Sequence, residues 1–298
     1  MARMSADSAK SKSMTDPHER DLHALIELLH DDDSDVRAQV VTHLAQFGDS
    51  GVRALERAMG TTDALHRARI QLAHEAVLRD RVLDRLREFA LRTNDAHEEY
   101  GAALVAQVFI PTLDTSHVLG VLDRLAETCP TEAQLRDPRV SLRAMRRYVH
   151  TEHGFRGNRT NYYDPQNSLL NRVLERRIGI PITLAVLYLA IARRIGQTAY
   201  GIGLPGHFLV RWTDAEPAVF VDPFNAGAML TAEECERLVK QNGLNFAPEQ
   251  LSAVTARETV ARIARNLVAA WRKSGESESE ALAREVHACL RPDVVLPP

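Results

Sequence analysis

Apolar residues recur every three or four positions through the first half of this 298-residue chain. From Asp21 to about His150 this spacing is typical of amphipathic helices, and it predicts several helices in succession. Gly48, Pro111 and Pro130 stand where individual helices are expected to end, because glycine and proline interrupt a helical pattern. The region is therefore predicted to be almost entirely helical.

One stretch of this region has a more specific pattern. The sequence LIELLHDDDSDVRAQVVTHLAQFGDSGVRALERAM, at residues 25–59, is similar to a HEAT-type helical pair followed by the start of another helix. Its acidic run DDDS is expected to end the first helix and to cap the second, and DVR at 35–37 resembles the inner turn of such repeats. A stable array needs about three units. We therefore predict one HEAT-like helical region over residues 21–150, preceded by a polar, disordered tail over residues 1–20.

The pattern changes after residue 150. Gly, Asn and Asp dominate from His153 to Ser168, which predicts tight turns. Pro181 suits the first turn of a helix, where its missing N–H costs nothing, and the helix that follows is apolar nearly all round. We expect that helix to be the buried centre of a domain. The predicted elements of this part are helices 169–177, 181–195, 233–240, 259–271 and 278–290, and strands 199–202, 207–212 and 219–222.

Composition narrows the class of protein. Charges nearly balance, with a formal net charge of -3, which gives no support for nucleic-acid binding. No apolar run reaches the ~18 residues of a membrane span. The three cysteines, Cys129, Cys235 and Cys289, are far apart and form neither a CxxC pair nor a disulfide framework. We therefore expect a cytoplasmic protein of a reducing compartment, without a metal or cofactor.

Two neighbouring predicted strands carry the clearest candidate chemistry. GLPGHFLV places His207 on the first strand, and VFVDPF places Asp222 on the second. A cysteine becomes a strong nucleophile where a helix N-terminus and a neighbouring imidazolium lower its pKa. Histidine then accepts and returns the proton, while aspartate orients the imidazole ring. His207 and Asp222 therefore correspond to two of the three residues of a Cys-His-Asp site.

Three long motifs resemble one protein family. HGFRGNRTNYYDPQNSLLNRVLERRIGIPITLAVLYLAIARRIG, GIGLPGHFLVRW and VFVDPFNAGAMLTAEEC are similar to the SirB-type family of the transglutaminase-like superfamily, over about Glu98 to Cys235. The resemblance implies an α+β fold, with a mostly helical N-terminal region packed on a transglutaminase-like (papain-like) core. That core, at residues 151–250, is expected to hold a small antiparallel sheet and to be followed by a C-terminal helical pair at residues 251–298.

The resemblance also implies where the nucleophile belongs. In such enzymes the central helix carries the cysteine near its N-terminus, about fifteen residues or four turns before the glycine that closes the helix. Counting back from Gly196 leads to Pro181, which has no nucleophilic atom and no backbone N–H to offer an oxyanion. Thr183 is rotated by about 200° from that position and is expected to bond to its own turn. Cys235 is interpreted as an ordinary half-buried thiol in the helix after the aspartate strand.

These residues lead to one main functional hypothesis and two alternatives. The main hypothesis is a non-catalytic protein that keeps His207 and Asp222 as a remnant pair and binds a protein or extended peptide in the cleft near His207. The first alternative is a hydrolase or amidase in which His207 acts as general base on water and Asp222 orients it. The second is a metal site formed by His207, Asp222 and a further histidine such as His153. The sequence has no metal-ligand spacing that supports it.

Structural interpretations stand beside these hypotheses. His207 is also read as a structural histidine paired with Asp222, and Asp222-Pro223 as a simple turn at a strand end. The loop residues 156–164 either line a groove or fold over the core. Two groups of arginines are read as solvated or carboxylate-paired rather than anion-binding: Arg143, Arg146, Arg147, Arg172, Arg176 and Arg177.

Overall fold

A computed structural model describes residues 17–92, 96–130, 137–212 and 218–297 of the chain. The chain divides into two compact units, Met1–Arg81 and Val82–Pro298. The α-helices, in chain order, are α1 (Pro17–Glu27), α2 (Ser34–Gln46), α3 (Asp49–Ala58), α4 (Ala64–Leu91), α5 (Glu98–Phe109), α6 (Thr115–Glu127), α7 (Pro138–Arg146), α8 (Leu170–Arg176), α9 (Pro181–Arg194), α10 (Ala232–Gln241), α11 (Ala256–Ser274) and α12 (Ser277–Leu290).

The strands are short and all belong to the second unit. They are β1 (Arg156–Gly157), β2 (Ile178–Gly179), β3 (Ala199–Ile202), β4 (Leu209–Trp212), β5 (Val219–Asp222) and β6 (Ala228–Leu230). The fold is α+β with a small antiparallel sheet, as the sequence predicts.

The first unit contains α1, α2, α3 and the start of α4, which enclose a core of aliphatic side chains that includes Leu44, Leu55 and Ile70. Asp33 caps α2 by accepting a hydrogen bond from the Asp35 N–H at 2.8 Å, which is the role predicted for the acidic run. Helix α1 begins at Pro17, so the last residues of the predicted tail are helical, and residues 1–16 lie outside the described ranges. The HEAT-like character of this region stays a prediction.

The second unit is built around α9. Every residue of this helix from Pro181 to Ala192 is buried, as its apolar sequence predicts. It packs against α5, α6, β3 and β4, and also against the 3-10 turn Pro223–Asn225 that follows β5. Burying one Leu or Ile side chain stabilises a fold by about 1.5–3 kcal/mol. An all-round apolar helix therefore has to lie at the centre.

The position of the boundary differs from the prediction. The predicted helical region ended at residue 150, whereas the second compact unit begins at Val82. Helices α5 and α6 share one hydrophobic core with α9, because apolar residues such as Leu104 and Leu122 are fully buried against it. Helical periodicity shows that a segment is amphipathic but does not show which core it faces.

The four-stranded sheet has the order β3-β4-β5-β6, and each neighbouring pair is antiparallel. The sequence predicts its first three strands, and β6 is an addition that pairs Ala228 with Asp222. Strand β4 begins at Leu209, two residues later than predicted. His207 lies in the turn before it, where its N–H donates to the Leu204 carbonyl oxygen at 3.2 Å and Gly206 takes a positive φ of 71°. The Pro205-Gly206 pair closes this turn because glycine tolerates that backbone conformation.

Candidate active site

The fold brings His207 and Asp222 together. His207 Nε2 donates to Asp222 Oδ2 at 2.8 Å, across the turn before β4 and the end of β5. The side chains are largely buried, with 10% of His207 and 3% of Asp222 exposed. Because β4 and β5 pair side by side, residues at the start of one and at the end of the other are neighbours.

Asp222 is held by several donors besides His207. Its Oδ1 accepts from the Phe224 and Asn225 N–H groups, both at 3.1 Å, and its Oδ2 accepts from Asn225 Nδ2 at 2.6 Å. Burial acts to raise the Asp222 pKa, but the His207 and Asn225 hydrogen bonds outweigh it and leave the pKa below its ordinary value. Asp222 therefore both caps the 3-10 turn and binds His207, so both interpretations of this residue apply.

This geometry assigns the two ring nitrogens of His207. An ionised carboxylate only accepts hydrogen bonds, so Nε2 carries the proton, and in the neutral ring Nδ1 carries the lone pair. Across the described ranges, Nδ1 has no hydrogen-bond partner. The ring of Phe224 lies edge-on to the imidazole, with centroids 6.3 Å apart. His207 is thus oriented as a base would be, but it is partly covered by an aromatic ring.

The head of α9 offers no nucleophile. Pro181 is the first residue of the helix and is buried. Thr183 is fully buried, and its hydroxyl donates to the Asn167 carbonyl oxygen at 2.8 Å while it accepts from the Ile180 N–H at 3.1 Å. Thr183 therefore acts as a capping hydroxyl, in line with the structural interpretation of its sequence position.

All three cysteines have raised thiol pKa values in this fold. Cys235 is completely buried on the outer face of the sheet, and burial followed by nearby Glu234 raises the pKa of its thiol to about 12. Burial raises the pKa of Cys129 to about 11 and also raises that of Cys289. Cys235 is fully rather than half-buried, because its side chain belongs to the face of α10 that packs against sheet residues such as Leu209 and Phe220. A thiol with a raised pKa is protonated at neutral pH and reacts slowly.

A loop lies over the site and is fastened to the head of α9. The amide Nδ2 of Asn158 donates to Asn167 Oδ1 at 3.1 Å, and Asn167 Nδ2 donates to the Asn161 carbonyl oxygen at 2.8 Å. The Thr183 hydroxyl adds the bond to the Asn167 carbonyl oxygen. The Gly- and Asn-rich segment is therefore an ordered cover, held by amide side chains that satisfy buried backbone groups.

Gly157 sets how closely this loop approaches the site. A Cβ atom at this position would lie 2.5 Å from Phe224 Cδ2 and 2.7 Å from the Phe224 carbonyl oxygen. We expect Gly157→Ala to lower the free energy of unfolding by about 2–3 kcal/mol, because overpacking forces the loop away from Phe224. Trp212 and Trp271 both lie in the second unit, so urea unfolding followed by tryptophan fluorescence measures the effect.

A matched control for this prediction is Gly120→Ala in α6. A Cβ there meets only Arg124 Nη1, at 3.5 Å, and alanine favours a helix over glycine. We expect this variant to keep or to gain stability. Equal stability of Gly157→Ala and the wild type would contradict the proposed close approach.

The outer side of the loop presents aromatic side chains. Tyr162 packs edge-on against Phe224 and Tyr163, and the two tyrosines are 38% and 45% exposed. The Arg159 guanidinium lies 5.4 Å from the centre of the Phe224 ring and donates to Asn225 Oδ1. The Lys273 ammonium lies 4.1 Å from the centre of the Tyr163 ring. The loop thus places an aromatic surface with cationic neighbours next to His207.

Two residues of the site were not anticipated from the sequence. Asn225 holds Asp222 from three positions further along the chain, and the Asp-Pro-Phe-Asn run signals such an Asx turn. Arg262 in α11 donates through Nη2 to the carbonyl oxygens of Leu204 at 2.7 Å and His207 at 2.8 Å. Arg262 carries no local signal, since 55 positions separate it from His207 in the sequence.

Three of the six arginines in the predicted groups pair with carboxylates, as expected of a structural role. Arg172 pairs with Glu175 at 2.8 Å, and Arg176 pairs with Asp164 at 2.8 Å. Arg147 pairs with Glu152 at 3.0 Å. Three further arginines of these groups serve otherwise: Arg146 donates to the Ala226 carbonyl oxygen, Arg177 ends α8 in a left-handed conformation, and Arg143 lines a cavity of about 690 Å³.

Two of the sequence expectations concern absences. Among the residues that the structure describes, no group of three or more His, Cys, Asp or Glu side chains is placed to hold a metal ion. His153 packs against Tyr148, with ring centroids 4.4 Å apart. Within the same described ranges, no helix combines the length and the apolar character needed to cross a bilayer.

The buried helix α9, the antiparallel pair β4–β5, His207 in the turn before β4 and Asp222 at the end of β5 together match the predicted transglutaminase-like (papain-like) core. The model of the transglutaminase-like superfamily matches residues 116–265, which include α9, His207 and Asp222. The chain belongs to the transglutaminase-like superfamily.

Individual relatives agree with this assignment. The UPF0162 protein of Xylella fastidiosa is 40% identical over 134 residues, which cover 43% of this chain and 48% of the relative. The UPF0162 protein of Pseudomonas aeruginosa is 30% identical over 183 residues, covering 59% and 66%. F-box only protein 21 of Homo sapiens is 29% identical over 251 residues, covering 72% and 39%. The chain spans about half the length of the Xylella relative. No solved structure matches this chain.

Proposed function

We propose that this protein is a non-catalytic member of its superfamily that binds a protein or extended peptide segment beside His207. The observation that carries the proposal is the head of α9, where buried Pro181 stands in the position that the superfamily's nucleophile is expected to occupy. The His207–Asp222 pair is then the remnant of a catalytic site, retained as a structural link between β4 and β5.

The cysteines support the non-catalytic part of the proposal. Each of the three thiols has a raised pKa, and Cys235 is sealed in a hydrophobic cluster with Leu209 and Phe220. A thiol that is both protonated and inaccessible cannot attack a substrate carbonyl. Cys129 and Cys235 therefore do not replace a nucleophile at position 181, and the partly exposed Cys289 is not activated by a lowered pKa.

The aromatic loop supports the binding part of the proposal. Tyr162 and Tyr163 are exposed, while the loop beneath them is fixed by the Asn158–Asn167 bond. Tyrosine and arginine are enriched at protein interfaces because they offer rigid apolar area together with hydrogen-bond donors. A pre-ordered loop also loses little entropy on binding. The proposed binding surface consists of Tyr162, Tyr163, Phe224 and Arg159.

A turnover assay tests the non-catalytic part. The protein is incubated with a fluorescent primary amine and glutamine-containing peptides, and in parallel with ester and amide substrates. We expect product at the rate of buffer alone. Turnover that disappears on His207→Ala would show that the pair is catalytic and would overturn the proposal.

Selection from a displayed library of random peptides tests the binding part. We expect the wild type to enrich a shared peptide motif, and Tyr162→Ala to weaken binding of the selected peptides by about tenfold or more, as interface tyrosines often do. The control is Leu91→Ala, at a side chain that is 82% exposed elsewhere in the second unit. Equal binding by wild type and Tyr162→Ala would remove this surface from the proposal.

One observation favours a second candidate, a hydrolase or amidase. His207 has the orientation of a general base, with Nε2 donating to an ionised aspartate and Nδ1 left with its lone pair. Its side chain is only 10% exposed, which limits its access to water and substrate, and its ring lies edge-on to the Phe224 ring. The ester and amide arms of the turnover assay separate this candidate from the first.

A further inference from the structure

A second recess of the same unit lies behind the turn that carries His207. It is a cavity of about 340 Å³ between α11, the last turn of α12 and the residues Gly203 and Phe208. We call it the basic cavity, because its polar lining consists of Arg262, Arg265, Arg291, His287 and a single carboxylate, Glu258.

Two of its arginines have no acidic partner. Arg262 Nη2 donates only to the carbonyl oxygens of Leu204 and His207, and its guanidinium lies 5.5 Å from the centre of the Phe208 ring. Burial followed by the charge of Arg265 lowers the Arg262 pKa to about 10. Arg265 is exposed at the rim, and no carboxylate of the described residues pairs with it. These two positive charges therefore face the cavity uncompensated.

The acidic groups nearby are already engaged. Glu258 Oε2 accepts from the N–H of Thr255 at 2.8 Å and from its hydroxyl at 2.9 Å, in a capping box whose N-cap residue is Thr255. Asp293 binds Arg291 with contacts of 2.8–3.2 Å. The cavity thus has more positive charge than its own carboxylates neutralise.

His287 is the most informative group in the cavity. It is only 5% exposed, it lines the cavity, and within the described ranges its ring has no hydrogen-bond partner. Burial lowers its pKa, and the charges of Arg265 and Arg291 lower it further, against the opposing effect of Asp293. Because His287 lines the cavity, a ligand or water there can hydrogen-bond to its ring.

We propose that the basic cavity binds a small oxyanion, a phosphoryl or carboxylate group, through Arg262, Arg265 and His287. Guanidinium groups present planar pairs of N–H donors that match the oxygens of phosphate and carboxylate. The anion forms ion pairs with Arg262 and Arg265, which have no carboxylate partner. It also accepts a hydrogen bond from the His287 ring. The site is separate from the His207–Asp222 pair and does not depend on whether that pair is catalytic.

Arg262 connects the two sites. The guanidinium that faces the cavity also donates to the carbonyl oxygen of His207. An anion that binds Arg262 therefore changes the electrostatic potential at the His207 turn and the position of that turn. We therefore expect anion binding to be registered at the His207 ring as well as at His287.

Histidine-ring NMR of the full chain tests the proposal. Inorganic phosphate and acetate are titrated at constant ionic strength against chloride, and the ring signals are assigned with His287→Gln and His207→Ala. We expect a saturable shift of the His287 signal and a rise of its pKa, because a bound anion stabilises the imidazolium form. Phosphate binding tighter than acetate assigns the site to phosphoryl groups, and the reverse order assigns it to carboxylates.

Two arginine variants make the test specific. Arg265→Gln, at an exposed position that the fold does not depend on, is expected to weaken anion affinity by about tenfold or more through loss of a charge-assisted bond. Arg124→Gln, an exposed arginine of α6 outside the cavity, is expected to leave it unchanged. Absence of a saturable His287 shift in the wild type, or equal affinities of wild type and Arg265→Gln, would overturn the proposal.

Discussion

A cysteine introduced by Pro181→Cys is expected to ionise below the ordinary thiol pKa of about 8.5. The substituted residue is the first of α9, where the positive end of the helix favours a thiolate. Helix α9 also packs against Pro223–Asn225, the turn that directly follows Asp222. Burial of position 181 acts against ionisation, and the helix end together with a neighbouring His207 imidazolium is expected to outweigh it. The pH dependence of alkylation by iodoacetamide measures the pKa.

The wild-type protein provides the baseline for this measurement. Its own thiols have raised pKa values, about 11 for Cys129 and about 12 for Cys235, so they should react at least tenfold more slowly at pH 7. In the double variant Pro181→Cys, His207→Ala, the thiol pKa should return toward 8.5. A new cysteine with an unshifted pKa that ignores His207 would show that position 181 does not face the pair, and the remnant-site interpretation would then be wrong.

Removal of the carboxylate in Asp222→Ala is expected to lower the free energy of unfolding of the second unit by about 3–5 kcal/mol. Asp222 is 2% exposed and accepts from His207 Nε2, from Asn225 Nδ2 and from two backbone N–H groups. Alanine leaves all of these buried donors without an acceptor, and each such donor costs about 1–3 kcal/mol. Urea unfolding followed by tryptophan fluorescence gives the value.

The control for this loss is Asp84→Ala. Asp84 also belongs to the second unit and forms an exposed ion pair with Arg87, and an exposed pair of this kind contributes about 0–1 kcal/mol. A loss at Asp222 no larger than the loss at Asp84 would show that the His207–Asp222 network contributes little to the fold.

Stability should also depend on pH through Asp222. The Asp222 pKa in the folded protein lies below its unfolded value of about 3.9, so ionised Asp222 stabilises the folded state relative to the protonated form. Its contribution is fully present above that unfolded value and is lost as the pH falls through the folded pKa. We expect the difference in free energy of unfolding between wild type and Asp222→Asn to shrink as the pH falls below about 4. A difference that grows on acidification would contradict this assignment.

Much of the fold could be predicted from local patterns. The apolar run after Pro181 fixed the buried central helix, because a helix without a polar face has no side to expose to water. Alternating apolar residues and turn signals fixed β3, β4 and β5 almost to the residue. The edge strand β6 was missed because it has only three residues, too few for a sequence pattern. It forms a strand only because β5 lies beside it and pairs with it.

Less of the site could be predicted. The sequence indicated that His207 and Asp222 form a pair, since His207 begins one predicted strand and Asp222 ends the next. It did not indicate that Phe224 covers the imidazole or that Arg262 holds the His207 carbonyl oxygen. Those contacts join segments that are distant along the chain, and no local spacing encodes them.

The sequence by itself indicated the buried central helix, because that depends on residue type and periodicity, and its resemblance to a known family implied the class of fold and a nucleophile position that proline occupies. The tertiary structure alone decided that Cys235 is fully buried, that α5 and α6 share a core with α9, and that Arg262, Arg265 and His287 line one cavity. The reason is physical. Burial, pKa shifts and unbalanced charge depend on which distant groups surround a side chain, and only packing sets those surroundings.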